Sequence, residues 1–453
     1  TGISSTYDLN PDYFPSYNVF KGTVVRVKAI KPGSDPSPVV TRNYFVSPQG
    51  TGRYSIPVIS LSINEDQLFD YEDGIYVAGK LFDDYRTNNP ADVPDYPIGN
   101  YTQKGSAFER RANFSYFVGG QQVLNQDIGI RVQGNYSRIY PNKSLNFYSR
   151  QEFGADKMNY KFFDDRDDTS FSRIVAKNGG SDYFNSFIKD ALCAELIENI
   201  NTVSEASTPA VTFINGEYWG MLTLREKYDD KFFKRKFGIP ENEIELLEND
   251  GYQVEEGDNP HYLAMADYIA NNSLIPEANY NYLKTQMDTE SFTDYFITNI
   301  YLNNTDWPGN NIVFWRRNTT FNPAAPYGND GRWRWAAHDM TATFSNPNHN
   351  NLAVATQAGG TDWPNPDWST LQLRKLLENE TFKNDFVSRF ADLMNTTFLP
   401  SRVVDMVNVM KAEIEAEMPE QMPRWNGPAD LGDWNYFLNQ EKNFANNRPA
   451  PQR

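Results

Sequence analysis

With 453 residues, a formal charge of −17 and hydrophobic residues at 39% of the chain, the sequence is long enough for more than one core and too apolar for extended disorder. The acidic balance excludes nucleic acid and anionic lipid as natural partners, since both demand a Lys/Arg surplus. A single cysteine, Cys193, excludes an internal disulfide scaffold and a cysteine-rich zinc site. No stretch approaches the roughly eighteen apolar residues of a membrane span, and the chain lacks a signal peptide, reading as if already trimmed.

In chain order, residues 22–30 and 39–46 alternate polar and apolar side chains and predict two strands, joined by the Pro- and Gly-rich turn 31–38. Two strands are too few for a complete sandwich, so residues 1–50 are expected to form a partial β-sandwich-like segment. A new domain is expected from Ile56, opening on the strand 57–63 and a capped turn over 64–70. The stretch 84–108, rich in Asp, Asn, Pro and Tyr, predicts a long surface loop. Strands resume at Phe114 and Ile128. Over 182–201, Phe184, Phe187, Ile188, Leu192, Leu196 and Ile200 recur at helical spacing and predict one helix laid on the sheet, with Cys193 at a core position. Asn215-Gly216 between alternating runs, Ala210 to Ile214 and Tyr218 to Glu226, is a strong hairpin signal. Beyond Asp229 the pattern turns helical at 261–272, 290–303, 369–394 and 401–418, with short strands at 312–316 and 332–337. A strand-rich half followed by a helix-rich half predicts an α+β bilobal body over 56–425, leaving 426–453 as a C-terminal tail.

Two polar loops carry candidate chemistry. Asn303-Asn-Thr-Asp-Trp-Pro-Gly-Asn-Asn311 lies between a helix and an apolar strand, the position in which reactive groups stand on a rigid base. Asp306 followed five residues later by Asn311 is the spacing with which a phosphoryl-transfer loop sets a carboxylate at an attacking hydroxyl and an amide oxygen at a metal. The plain alternative is an Asx-rich turn that satisfies only its own backbone. After the strand ending near Trp335, Asp339 in His338-Asp-Met-Thr341 is placed as a second oxygen ligand for Mg²⁺. Upstream, a hairpin tip with Gly134, Ser137 and Arg138, flanked by Arg131 and Lys143, offers fixed cations and a hydroxyl to a polyphosphate, or is an ordinary solvated hairpin. Three histidines, His261, His338 and His349, and no Gly-x-Ser-x-Gly elbow leave little for a serine triad. His338 reads as a packing residue at the strand end.

Over residues 56–419 the chain resembles the spore-coat-protein-H (CotH) family of atypical protein kinases. The resemblance rests on Gly129, Arg131, Gly134, Ser137, Arg138 and Lys143, on Asp182 to Leu196, on the hairpin Asn215 to Gly220, and on Asp306, Asn311 and Asp339. It implies a kinase-like fold with a strand-rich N-lobe and a helical C-lobe, ATP and Mg²⁺ as cofactors, and a protein hydroxyl as phosphoacceptor. It further implies Asp306 as catalytic residue, Asn311 and Asp339 as metal ligands, and Arg131, Ser137, Arg138, Lys143 and Glu226 at the nucleotide, Glu226 in a hinge-like position. Asp190 and Glu195 remain alternative acidic partners of Lys143. The departures are His338 for tryptophan, Thr341 for a second aspartate and Ser345 for glycine, with Lys189 where many relatives carry arginine. The first strands resemble the end of the β-sandwich module at the C-terminus of some β-hexosaminidases, which implies export to the cell surface.

The rival expectation is a non-catalytic surface module, a pseudokinase or one contacting glycans through Trp363, Trp368, Trp425 and Trp434. A two-carboxylate glycosidase is a third. Nine Asn-x-Ser/Thr sequons occur, Asn135 and Asn303 inside the candidate motifs, where a glycan would obstruct the cleft.

Overall fold

The computed structural model of the chain describes residues 15–92, 96, 98–360 and 363–452. The chain divides into two compact units. The first holds residues up to Phe187 together with Ser207–Glu226 and Lys411–Asn435; the second holds Ile188–Ala206, Lys227–Met410 and Tyr436–Arg453. The fold class is α+β, strand-rich in its N-terminal part and helical in its C-terminal part.

In the first unit, β1 (Thr23–Val27) and β2 (Val40–Tyr44) pair antiparallel, as the alternation predicts. They precede β3 (Val58–Ile63), β4 (Arg110–Val118), β5 (Gln121–Val132), β6 (Leu145–Tyr148), β7 (Met158–Asn159), β8 (Ser170–Phe171), β9 (Arg173–Lys177), β10 (Ser207–Ile214) and β11 (Glu217–Arg225). Seven of these close a barrel in the order β10-β11-β9-β6-β5-β4-β3, with β3 and β10 parallel. Closure removes sheet edges that would otherwise need covering.

The sequence of β3, Val-Ile-Ser-Leu-Ser-Ile, shows how the hairpin joins the barrel. Ile59 and Leu61 are fully buried, whereas Ser60 and Ser62 alternate with them. Both hydroxyls donate to Asn43 Oδ1 on β2, at 3.1 and 3.4 Å, and Asn43 Nδ2 donates to Ser115 Oγ on β4 at 2.9 Å. The hairpin is therefore fastened to the barrel by one buried amide rather than standing apart. A further anchor is the Asn215-Gly216 turn: both residues have positive φ, 50° and 81°, as the two-residue hairpin requires. Gly216 also has no room for a side chain, because a Cβ would stand 2.6 Å from the Gly22 carbonyl oxygen.

In the second unit, β12 (Ile244–Glu248), β13 (Gln253–Glu256), β14 (Val313–Arg317) and β15 (Arg334–Ala336) form a sheet of order β13-β12-β14-β15. Tyr228, Phe232, Phe233, Ile239, Leu246 and Trp315 build the core on it. The helices Pro260–Asn271 and Thr289–Tyr301 lie where the periodicity puts them. The segment 369–394 is two helices, Asp367–Leu376 and Glu380–Asn395, because Asn379 accepts the Phe382 amide at 3.0 Å and so caps a new start.

Three expectations are corrected. The apolar stripe 182–201 is not one helix: Phe187 sits at φ 70°, the helix spans only Lys189–Leu196, and Phe184 is exposed. The stretch 84–108 is not all loop, since Gly79–Asn88 is helical; residues 93–95 and 97 lie outside the described residues. Residues 426–453 are not a tail but carry the helices Leu431–Asn447 and Pro449–Gln452, with Trp434, Leu438 and Phe444 buried.

The C-terminal helices end in a buried cation. Arg448 is fully enclosed and donates to the carbonyls of Ile300, Tyr301, Pro347 and His349 at 2.7 to 2.8 Å. Two of these are the last carbonyls of the helix Thr289–Tyr301, of which Ile300 also accepts the Asn303 amide at 3.3 Å. Burial pushes the guanidinium down to about 10, still charged at neutral pH. Arg448→Ala removes these four hydrogen bonds and leaves the Tyr301 and Pro347 carbonyls without them, while Ile300 and His349 still accept the Asn303 and Asn351 amides. The change is expected to cost about 3 kcal/mol, read as a lowered midpoint in urea unfolding followed by circular dichroism.

Candidate functional site

The helix Thr289–Tyr301 starts on Asp288, whose carboxylate accepts the Glu290 and Ser291 amides, both at 3.2 Å. It stops at Asn303, which adopts φ 54°. The loop that follows is held from beneath by asparagines. Asn304 Nδ2 donates to Asn299 Oδ1 at 2.9 Å, and Asn304 Oδ1 accepts the Asp306 amide at 3.1 Å. Asn351 Nδ2 bridges the carbonyls of Asn299 and Asn304 at 3.1 and 3.2 Å. Trp307, fully buried against Phe296 at 5.1 Å between ring centroids, is the apolar plug of the loop. These bonds answer the inward amides of Asn299 and Asn304 and the Asp306 N–H, and hold the loop without secondary structure, while the buried Trp307 indole N–H has no hydrogen-bond partner among the described residues.

Asp306 is half-buried above this base. Its Oδ2 accepts Asn311 Nδ2 at 2.9 Å, while Oδ1 accepts Asn310 Nδ2 at 3.2 Å and the Trp363 indole N–H at 3.1 Å. Asn311 itself has φ 57°. The predicted Asp306–Asn311 pair is therefore in direct contact, and spending the amide N–H on Asp306 leaves Asn311 Oδ1 as the acceptor end.

Asp339 follows β15 at φ 47°, a left-handed conformation uncommon outside glycine and costing on the order of 1 kcal/mol. Its turn is laced to the Asp306 loop by three bonds. The Thr305 amide and hydroxyl both donate to the Ala342 carbonyl, at 3.0 and 3.2 Å, and the Phe344 amide donates to the Leu302 carbonyl at 2.9 Å. From the other side, Asp190 accepts the Met340 amide at 3.0 Å, and Cys193 lies 3.5 Å from the Thr343 hydroxyl. The helix Lys189–Leu196, predicted to lie on the sheet, packs on this turn.

Where the resemblance has a second aspartate, the Thr341 hydroxyl donates to Asp339 Oδ1 at 2.7 Å. Among the described residues, Asp339 Oδ2 and Asn311 Oδ1 make no hydrogen bond, and no group of three or more His, Cys, Asp or Glu side chains is placed to hold a metal. One carboxylate oxygen and one amide oxygen suit a hard, water-retaining cation such as Mg²⁺, which takes few protein ligands and completes its shell from phosphate and water. Ser345, in place of glycine, accepts Asn303 Nδ2 at 2.8 Å, and His349 Nδ1 bonds Asn303 Oδ1 at 2.8 Å. Asn303 is fully buried, so its sequon is closed to modification in the folded protein.

The remaining candidates belong to the barrel unit. Arg131, on β5, is half-buried and donates to the Tyr148 hydroxyl at 2.5 Å. Ser137 lies in the turn Tyr136–Ile139, so near Gly134 that a Cβ there would be 2.5 Å from its hydroxyl. Arg138 is buried and spent on the carbonyls of Gly134, Tyr101 and Gln103 at 2.5, 2.9 and 2.9 Å, which makes it the internal brace of that turn rather than a solvated cation. Lys143 is buried too, its Nζ donating to the carbonyls of Arg138 and Tyr140 at 2.6 and 2.9 Å over the Tyr101 ring. Burial, with Arg138 adding to it, pushes the Lys143 ammonium down to about 7. Glu226, buried just past β11, lies 3.5 Å from Arg166.

His338 packs near Tyr228, as a strand-end residue would. Trp425 and Trp434 are fully buried, which removes them from any sugar-binding face; Trp363 is 61% exposed. The Trp363 contact with Asp306 and the asparagine base were not among the sequence expectations. The first joins residues 57 apart in the chain with no periodicity between them.

The family model described as "CotH kinase protein" matches residues 130–451, more than half of the chain. That match begins beyond the first fifty residues and so does not show their resemblance to a β-hexosaminidase module. No curated protein matches. Among solved structures, the Helicobacter pylori proinflammatory kinase CtkA aligns over 74% of this chain and 90% of its own, at 10% identity and a TM-score of 0.23, too loose to carry a structural inference.

Asn304→Ala removes the clamp on the Asp306 amide and leaves Asn299 Oδ1 without its donor. The expected loss is about 2 kcal/mol, measured by urea unfolding, with faster amide exchange confined to residues 303–311 and 339–344.

Proposed function

The chain belongs to the CotH kinase family, and on that premise we propose that it is a Mg²⁺-dependent protein kinase moving the γ-phosphoryl group of ATP to a Ser or Thr hydroxyl of a protein acceptor. The observation that carries this reading is the Asp306–Asn311 contact at 2.9 Å on a loop laced to the Asp339 turn. In phosphoryl transfer most of the work is positioning and charge neutralisation, and a rigid oxygen-bearing loop serves both.

On this reading Asp306 orients the acceptor hydroxyl and takes its proton. The acceptor oxygen bonds to the γ-phosphorus as the bond to the β,γ-bridging oxygen breaks, and ADP leaves with that electron pair. Asn311 Oδ1 and Asp339 Oδ2 would hold Mg²⁺, which when bound neutralises phosphate charge. In the barrel unit, Arg131 and Lys143 neutralise phosphate oxygens, Ser137 offers a hydroxyl and Arg138 braces the turn that carries it. Glu226 stands at the hinge-like position. A bilobal kinase-like fold and an exported location belong to the same proposal. Thr341, in the place of a carboxylate, favours a weaker metal site and supports a pseudokinase as the second reading.

The test is radiolabel transfer from ATP to the protein itself and to a Ser/Thr peptide library. Asp306→Asn is expected to lower turnover by about 100-fold or more while retaining ATP binding, and Asp339→Ala to weaken Mg-ATP binding in calorimetry. Unaltered transfer by both variants would falsify the proposal.

Lys143 gives an independent readout. Above about pH 7 its unliganded side chain is largely neutral, and phosphate oxygens favour the charged form. Nucleotide binding near pH 8 is therefore expected to take up close to one proton, and markedly less below pH 6. Calorimetry in buffers of differing ionisation enthalpy measures this, and Lys143→Met abolishes it.

A further inference from the structure

Resting on the reading of Asp306 as the proton acceptor, we infer that Trp363 is a positioning residue that holds the Asp306 carboxylate in place from outside its own loop. Of the three donors on that carboxylate among the described residues, Asn310 and Asn311 belong to the same loop as Asp306 and move with it. Trp363 does not. Its indole N–H, 3.1 Å from Oδ1, references the carboxylate to a separate segment running into the helix Asp367–Leu376.

That segment is fixed to the loop at a second point. The Gly309 amide donates to the Pro364 carbonyl at 2.5 Å, and a Cβ on Gly309 would stand 2.6 Å from that oxygen and 2.5 Å from Pro366 Cδ. Glycine at 309 is what allows the approach. The far side is anchored by Asn365 Nδ2, which donates to the Val354 carbonyl at 3.2 Å and to Gln357 at 3.0 Å. An indole whose following residues, Pro364 and Asn365, are both anchored restrains a carboxylate better than a free one, because less conformational entropy remains to be lost.

Exposure distinguishes this from core packing. Trp363 is 61% exposed, so its ring contributes little burial. A large exposed apolar ring whose one polar atom is aimed at a carboxylate is placed for that hydrogen bond. A neutral donor brings no counter-charge to the carboxylate, where a Lys or Arg would form an ion pair and compete for the acceptor site.

Two measurements test this on the full chain. Trp363→Phe keeps the ring and removes the N–H; kcat for phosphoryl transfer is expected to fall about tenfold with KM for ATP unchanged. Unchanged or raised kcat in a protein whose transfer still depends on Asp306 would overturn the inference alone, whereas absence of Asp306-dependent transfer in the wild type defeats the proposed function itself. The second readout needs no activity. In ¹⁵N-tryptophan spectra, the indole resonance that disappears in Trp363→Phe is expected to shift in Asp306→Asn, with the other eight of the nine indoles little changed. A stationary Trp363 resonance overturns the contact.

Discussion

A loop can hold an amide oxygen and a carboxylate at fixed positions only if it is fastened from beneath, and here the centre of that fastening is Asn304. Its two amide ends are committed, one to Asn299 on the preceding helix and one to the backbone of Asp306 itself. Asn351, from a different stretch of chain, donates to the carbonyls of Asn299 and Asn304. Asn residues suit this work because one planar group both donates and accepts, so a short chain of them satisfies buried backbone without introducing charge. Everything proposed for Asp306, Asn311 and Asp339 depends on this uncharged base.

The buried cations of the candidate hairpin and those of the four-stranded sheet are answered differently, each within its own unit. In the barrel unit, Lys143 and Arg138 are buried and answered by carbonyls rather than carboxylates. Neutral acceptors leave the local field positive, as an anionic ligand would need, at the cost of depressing Lys143. In the helical unit, the buried cations of the sheet are paired outright. Arg334 meets Asp330 and Asp288 at 2.7 and 2.8 Å, and burial, which would raise the Asp330 carboxyl, is outweighed by Arg334 and Arg332, leaving it at about 2. These pairs are structural, as is the buried Arg424–Glu217 pair of the barrel unit at 3.0 Å, whereas Lys143 and Arg138 are answered by carbonyls.

What the sequence made legible was local. The Asn215-Gly216 turn, the helices 261–272 and 290–303, and the five-residue interval from Asp306 to Asn311 are each written within one turn or element. The long stripe 182–201 misled because helical spacing says nothing of Phe187, where the chain turns left-handed and starts a new helix. Residues 431–447 read as a tail because Asn-rich polar faces dilute their apolar positions, and only burial of Trp434, Leu438 and Phe444 reveals the helix. Arg448 and Trp363 were invisible for a plainer reason. Each acts on backbone or a carboxylate far away in the chain, and neither a cation near a terminus nor a lone tryptophan carries a spacing that points to its partner.

The burial of Asn303 has a consequence in time as well as in space. Its sequon, Asn303-Asn304-Thr305, is closed only after the loop has formed, since the side-chain amide is then spent on Ser345. A eukaryotic secretory pathway presents the oligosaccharyl transferase to the chain while it is still extended. Glycan attachment and loop closure are then competing rates, and a chain that loses that race carries a sugar where the asparagine base must pack. The folded protein is immune to a modification that the nascent one is not, so the host in which it is made decides whether the loop can close.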